Sequence, residues 1–143
     1  MKKLTIATAL VLSVLTATAA DVSVSSVRDM TSEQNGYRVT VALPVANLSA
    51  TKVEGNYVRW AIGHNFPLTS VGPVALSASL AGVYHNTQKS SSEDGYGFTV
   101  GGKATMPVAK NVNLVASLER FTGQSRISNS DGNTASLGLN LKF

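Results

Sequence analysis

Few residues in this chain could do chemistry. It has no cysteine and two histidines, His64 and His85. Disulfides and thiol-based metal sites are therefore excluded. The sequence shows no cluster with metal-ligand spacing, no phosphate-cradling glycine loop and no G-x-S-x-G element. No cofactor is implied. What remains is a set of charges that share one phase of alternating segments: Arg38, Arg59, Lys103 and Lys142, with Glu119 as the one clear acid among them. Charges gathered on one side of a β wall must pair or be hydrated. They could form a polar path for small solutes, or a buried ion network that fixes register.

The elements that carry these residues decide between the two. No segment of helical length in the mature chain is amphipathic at period 3.6, and no apolar run reaches transmembrane-helix length. Period two recurs instead. "YRVTVAL" sets Tyr37, Val39, Val41 and Leu43 against Arg38, Thr40 and Ala42. "VNLVASL" sets Val112, Leu114, Ala116 and Leu118 against Asn113, Val115 and Ser117. Eight strands are predicted, over 21–29, 36–44, 47–53, 56–66, 73–86, 95–107, 111–123 and 133–143. In the first, the alternation holds at Val22 and Val24 and then slips a phase at Val27, as a bulge would cause. "LPVAN", "FPLTS" and "MPVAK" each place a proline where a strand is expected to end in a tight turn. The longer polar connections then fall at the opposite end of the wall.

The two ends of the chain bound its location. "MKKLTIATALVLSVLTATAA" has two lysines, an apolar run and an Ala17-Thr18-Ala19 cleavage pattern. It reads as a secretory signal peptide over 1–19, leaving 20–143 as the mature domain. Removing Lys2 and Lys3 leaves ten basic residues of the twelve against eight acidic ones, so the formal charge falls from +4 to +2. The basic residues are scattered, so a nucleic-acid partner is not indicated. The last strand alternates Ala135, Leu137, Leu139, Leu141 and Phe143 against small or polar residues and ends on the aromatic.

Residue size assigns the faces. The polar faces are built from Gly, Ser, Thr and Ala, and charged residues make up only 14% of the chain. A water-facing sheet surface usually carries more charge. Small residues at alternate positions suit the inside of a narrow barrel, with the apolar face turned to lipid. The expectation is an all-β fold, an eight-stranded antiparallel up-and-down transmembrane barrel. Its interior is only wide enough to be filled by side chains, which favours the plugging network over the path. Outward aromatics should form girdles, with Tyr37, Trp60, Tyr84 and Tyr96 towards the loop end and Phe66 and Phe143 towards the turn end.

These features resemble the small eight-stranded outer-membrane barrels of the OmpA/OmpX and opacity-protein type. The resemblance covers the mature chain, and its most specific element is the C-terminal strand. It implies that Leu137, Leu139, Leu141 and Phe143 form the signal read by the barrel-assembly machinery, after escort by periplasmic chaperones. It also implies a monomer in the bacterial outer membrane, in contact with membrane lipid and lipopolysaccharide, with a structural, envelope-integrity or surface-contact role. The loops are shorter than those of opacity-type adhesins. Some small barrels of this kind are lipid A deacylases with a His, a Ser and a Glu near the outer rim. His85, Ser90 and Glu119 are the nearest candidates, but Thr87 stands where that family's serine would follow the histidine. The expectation is that the chain is not an enzyme. A lipid A-modifying enzyme or a narrow solute pore are the alternatives.

Overall fold

The computed structural model describes residues 21–87, 94–124, 127 and 131–142. The proposed signal peptide, Ser90 and Phe143 lie outside them. Eight strands follow in order: β1 Asp21–Asp29, β2 Gln34–Ala42, β3 Asn47–Val53, β4 Tyr57–Val71, β5 Val74–Thr87, β6 Gly95–Ala109, β7 Val112–Gly123 and β8 Gly132–Leu141. Each pairs antiparallel with its sequence neighbours, and β8 pairs back to β1 to close the barrel.

The registers fix the barrel's geometry. The paired positions run from Asp21 through Ala42, Asn47, Gly63, Ala81, Thr99 and Phe121 to Gly132. Gly132 faces Thr31, so one circuit advances the chain from residue 21 to residue 31, a shear of ten. Eight strands with that stagger tilt by roughly 40° to the axis. The start of β1, the end of β8 and the short β2–β3, β4–β5 and β6–β7 connections lie at one end, here the turn end. The other connections form the loop end.

The alternation resolves into an inside-out wall. Val24, Leu48, Ile62, Leu80, Val100, Leu118 and Leu139 face outward and are exposed. Ser23, Thr40, Ser49, Ser79, Thr99, Ser117 and Ser136 line the interior. Apolar burial drives soluble folding. Here the apolar side chains form the outer surface, an arrangement that only a hydrocarbon solvent favours.

Two expectations need correction. β1 has no slip, because its register against β2 and β8 is continuous. Val27 simply points inward, 1% exposed, in the phase of Ser23, Ser25 and Asp29. Nor do the three prolines mark three turns. Pro44 does lie in the β2–β3 connection, but Pro67 and Pro107 sit inside β4 and β6, each beside a register shift. The strand pairing explains why they are tolerated. β3 stops pairing with β4 at Gly63, and β5 stops pairing with β6 at Thr105, so each proline lies past the end of one neighbour. There a missing N–H breaks no ladder bond on that side. The turns themselves are Gly72-Pro73 and Lys110-Asn111, with φ of +59° at Gly72 and +60° at Asn111, which Gly and Asn accept more readily than other residues.

Closure depends on bare backbone at the seam. A Cβ on Gly138 would collide with the Val24 carbonyl oxygen and with Ser25 on β1. Gly82 and Gly102 have nothing within 4 Å of the corresponding position. Gly138→Val should therefore abolish the closed barrel, seen as loss of the heat-modifiable shift on a gel. Gly102→Ala should keep that shift.

Candidate functional site in the lumen

The inward phase carries two layers of polar chemistry. The layer at the loop end is built on β4, whose alternation turns Tyr57 and Arg59 inward. β1 brings Asp29, β5 brings His85 and β7 brings Phe121 to the same level. The Arg59 guanidinium lies 3.9 Å from the Tyr57 ring centroid and 3.8 Å from that of Phe121. His85 stacks on Phe121, with centroids 5.6 Å apart and planes 22° apart. Arg59 Nε donates to His85 Nδ1 at 3.1 Å, and an Arg59 terminal nitrogen donates to the Tyr57 hydroxyl at 3.3 Å. That hydroxyl in turn donates to Asp29 Oδ2 at 2.8 Å. Ile127 packs with Phe121 and Val83 over this cluster, and Tyr57, His85, Phe121 and Ile127 are each 2% exposed or less. The result is a dense cap in which a cation is held between aromatic faces.

The second layer lies nearer the turn end. Arg38 meets Glu119 at 2.8 Å, and its Nε donates to Thr51 Oγ1 at 2.8 Å. Ser117 and Ser136 share a hydrogen bond of 2.6 Å. Arg38, Lys103 and Glu119 line a polar cavity of about 80 Å³ with serines, Thr40, Asn47 and Asn65. A water needs on the order of 10–15 Å³ measured in this way, so there is room for about five. Lys103 makes no ion pair among the described residues, and it lines this cavity.

The expected charge network is thus divided. Arg38, Arg59, Lys103 and Glu119 all point inward, but Arg59 belongs to the cap and not to the Glu119 pair. The acid reaches across from β7 to Arg38 on β2, because aromatic rings and His85 already occupy Arg59. Lys142 is corrected: it lies beyond the last residue of β8, exposed at the turn-end rim. The sequence reading missed Tyr57 and Phe121. The signal was there, since both are aromatics in the same phase as a charge, Arg59 and Glu119 respectively.

The candidate triad is not assembled among the described residues. His85 is 2% exposed and accepts from Arg59, while Glu119 is held by Arg38 in the other layer. Thr87 is the last residue of β5, and Ser90 lies outside the described residues. His64 faces outward and meets the Phe66 ring edge-on at 4.9 Å. On the outer wall Trp60, Tyr84 and Tyr96 form a row across β4, β5 and β6, with Tyr84 and Tyr96 5.1 Å apart. Tyr37 lies on the outward phase of β2, and Phe66 is 48% exposed nearer the turn end. Leu137, Leu139 and Leu141 are all outward and exposed.

No protein family profile and no curated protein matches this chain. Two solved structures do. The N-terminal β-barrel domain of Pseudomonas aeruginosa OprF matches with a TM-score of 0.63 at 14% identity, covering 87% of this chain and 97% of that one. The Yersinia pestis outer membrane protein Ail, solved in a phospholipid bilayer nanodisc, matches with a TM-score of 0.59 at 12% identity, covering 87% and 99%. The chain therefore has the fold of the small eight-stranded outer-membrane β-barrels.

The Arg38–Glu119 pair should carry stability. Its side chains are 14% and 16% exposed and border a cavity large enough for water, so the pair lies between a surface bridge and a dry one. Glu119→Gln should cost about 2 kcal/mol, between the ~0.5 kcal/mol of exposed pairs and the ~3–5 kcal/mol of fully buried ones. The urea midpoint of the folded protein in vesicles measures this. Arg38→Met in the same background should restore part of the loss.

Proposed function

We propose that this protein is an integral barrel of the bacterial outer membrane, exported through its N-terminal signal, with a structural or surface-contact role and a plugged lumen. The observation that carries the proposal is the cap of Tyr57, Arg59, His85, Phe121 and Ile127, which fills the loop-end half of the interior inside a wall that is apolar outward. The outward aromatic row of Trp60, Tyr84 and Tyr96 suits a membrane interface at the loop end. Outer-membrane lipid and lipopolysaccharide are the surroundings that wall would meet. Leu137, Leu139, Leu141 and Phe143 would supply the signal to the barrel-assembly machinery, and the closed wall leaves no unpaired seam that calls for a second subunit.

The cap argues against both alternatives. A solute path would have to cross a layer in which Tyr57, His85 and Phe121 are almost fully buried. The cavity lies on the turn side of that layer. A lipid A-modifying site would need its base open to the membrane, yet His85 is enclosed and its Nδ1 already accepts a bond.

Planar-bilayer recordings test the plug. The wild type should show no steady conductance. The Arg59→Ala, Phe121→Ala double variant should conduct, provided it retains its heat-modifiable shift. Steady conductance from the wild type would overturn the plugged reading. Incubation with lipopolysaccharide, followed by mass spectrometry, should release no fatty acid.

Insertion is tested on the outer wall. Leu118 is 57% exposed on the outward phase of β7. Leu118→Arg should lower stability in vesicles by roughly 2–4 kcal/mol, the cost of a cation near the middle of a bilayer. The urea midpoint reads the change.

A further inference from the structure

The hydrogen bonds of the cap run in one direction. Arg59 Nε donates to His85 Nδ1 at 3.1 Å, and a terminal nitrogen of Arg59 donates to the Tyr57 hydroxyl at 3.3 Å. That hydroxyl donates to Asp29 Oδ2 at 2.8 Å. A guanidinium only donates, and it keeps its protons in proteins. A carboxylate only accepts. The two ends therefore fix every proton between them. His85 Nδ1 must offer a lone pair, so the imidazole is neutral, with its one proton on Nε2.

His85 also holds the stopper together. Its ring centroid lies 5.1 Å from that of Tyr57 and 5.6 Å from that of Phe121. It thus joins Tyr57, Arg59 and Phe121, the large residues that span the loop-end lumen. It is 2% exposed. On β6 it pairs with Gly95, and Ile127 packs over that glycine, 3.3 Å from where a Cβ would stand.

The charged and titratable groups around His85 decide what a second proton on the ring would meet. From β4 these are Arg59, in contact, and Tyr57. From β1 it is Asp29, whose oxygens accept from Tyr57 and from the backbone N–H groups of Thr31 and Ser32. Just before β6 stands Asp94, which accepts from the Thr87 N–H and the Asn86 amide. β7 presents uncharged Phe121, and its Glu119 is held by Arg38 in the layer below. No carboxylate is bonded to His85 among the described residues. A proton on Nδ1 would set donor against donor and place two positive charges in contact, in a site closed to solvent.

We propose that the cap is an acid-released stopper: protonation of His85 expels the ring from between Arg59, Tyr57 and Phe121 and opens the loop-end lumen onto the cavity below. This deepens the plugged-lumen reading above and rests on it. The neutral ring is both an acceptor for Arg59 and a stacking partner for Phe121. The charged ring has no acceptor left to offer at Nδ1, so it moves to the rim, where water solvates it. Arg59 then loses its Nε partner, and Phe121 loses the ring stacked on it. Histidine suits the task because its charge changes between about pH 5 and 8, a range in which ordinary carboxylates stay ionised. His64, the other histidine, faces outward and takes no part.

Planar-bilayer recordings at about pH 7.5 and about pH 5 test this, on either side of the ordinary imidazole pKa of about 6.5. The wild type should be closed at the higher pH and show open events at the lower one. Each unit of pH raises the protonated share of a neutral imidazole about tenfold, so total open time should rise on the order of tenfold or more. His85→Gln keeps an acceptor for Arg59 and takes up no proton. His85→Phe keeps the stacking and takes up none either. Whichever of the two retains the heat-modifiable shift should stay closed at both pH values. His64→Gln should open in acid like the wild type. In the wild type itself, the onset of opening should follow the titration of the buried imidazole by NMR, and not that of His64. A wild type closed at both pH values would overturn the switch and leave the plug in place. Acid opening that survives in His85→Gln, or that follows His64, would overturn it too. Steady conductance at the higher pH would instead overturn the plugged reading itself.

Discussion

Closure of the sheet with a fixed shear is the constraint on which the rest depends. Once eight strands pair all the way round with a stagger of ten residues, the radius is set, and so is the volume each inward position may fill. Large inward groups then require missing ones beside them. Phe121 occupies space that a Cβ on Gly97 would enter, and Ile127 does the same at Gly123. The glycines and serines of the polar face are thus the complement of the cap and the seam. This also explains why the cap can be so dense. The wall cannot yield outward without breaking ladder bonds, and in hydrocarbon such bonds have no water to replace them.

Within that fixed volume the two charge layers solve one problem in different ways. An interior cation must recover the solvation it has lost. At the loop end Arg59 recovers it from two ring faces, an imidazole nitrogen and a phenol oxygen, and almost no space is left over. Nearer the turn end Arg38 recovers it from a carboxylate and a threonine, and Lys103 from a space large enough for water. The sizes of the surrounding residues separate the two. Tyr57, Phe121 and Ile127 fill the first layer, while Ser49, Ala61, Gly63 and Ala81 leave the second partly open.

Much of this was legible in the alternation. The eight strands, the inward set Arg38, Arg59, Lys103 and Glu119, and the outward set Trp60, Tyr84 and Tyr96 follow from period two alone, because a closed barrel has two faces and phase assigns each residue to one. Where a strand ends was less legible. Pro67 and Pro107 look like terminators, yet β4 and β6 run on through them to Val71 and Ala109. A proline harms a strand only where a neighbour needs its N–H, and the stagger that removes those neighbours is a property of the whole barrel. The partner of Glu119 was hidden for the same reason. Alternation gives the face but not the height, and height depends on tilt accumulated over three intervening steps, from β7 through β8 and β1 to β2. Tyr57 and Phe121 share the inward phase with Arg59 and Glu119, but an aromatic in a polar phase looks like an exception until the interior is seen to need a stopper.

The two ends of the barrel differ in ways that follow from one another. The loop end carries the dry cap, and the cap needs anchoring because its residues come from β1, β4, β5 and β7 and from the connection after β7. Asp29 does this directly: one carboxylate oxygen accepts from Tyr57 in the cap and the other from the backbone of the β1–β2 connection. Asp94 and Asp131 tie the connections after β5 and β7 to their strands in the same manner. An acid that accepts backbone N–H groups is turned along the rim or inward, and the charged residues on the outward phase of the strands at this end are Arg28, Lys52 and Arg120, with Glu54 beside Lys52. The turn end needs no such ties. Its connections are short, its interior keeps a cavity large enough for water, and its strands end at unequal heights because β4, β5 and β6 outrun their neighbours. The asymmetry along the axis is therefore a consequence of where the lumen is stoppered. Arg28 and Arg120 face outward at this end, bonded to Asn35 and Asn133, and neither makes an ion pair among the described residues.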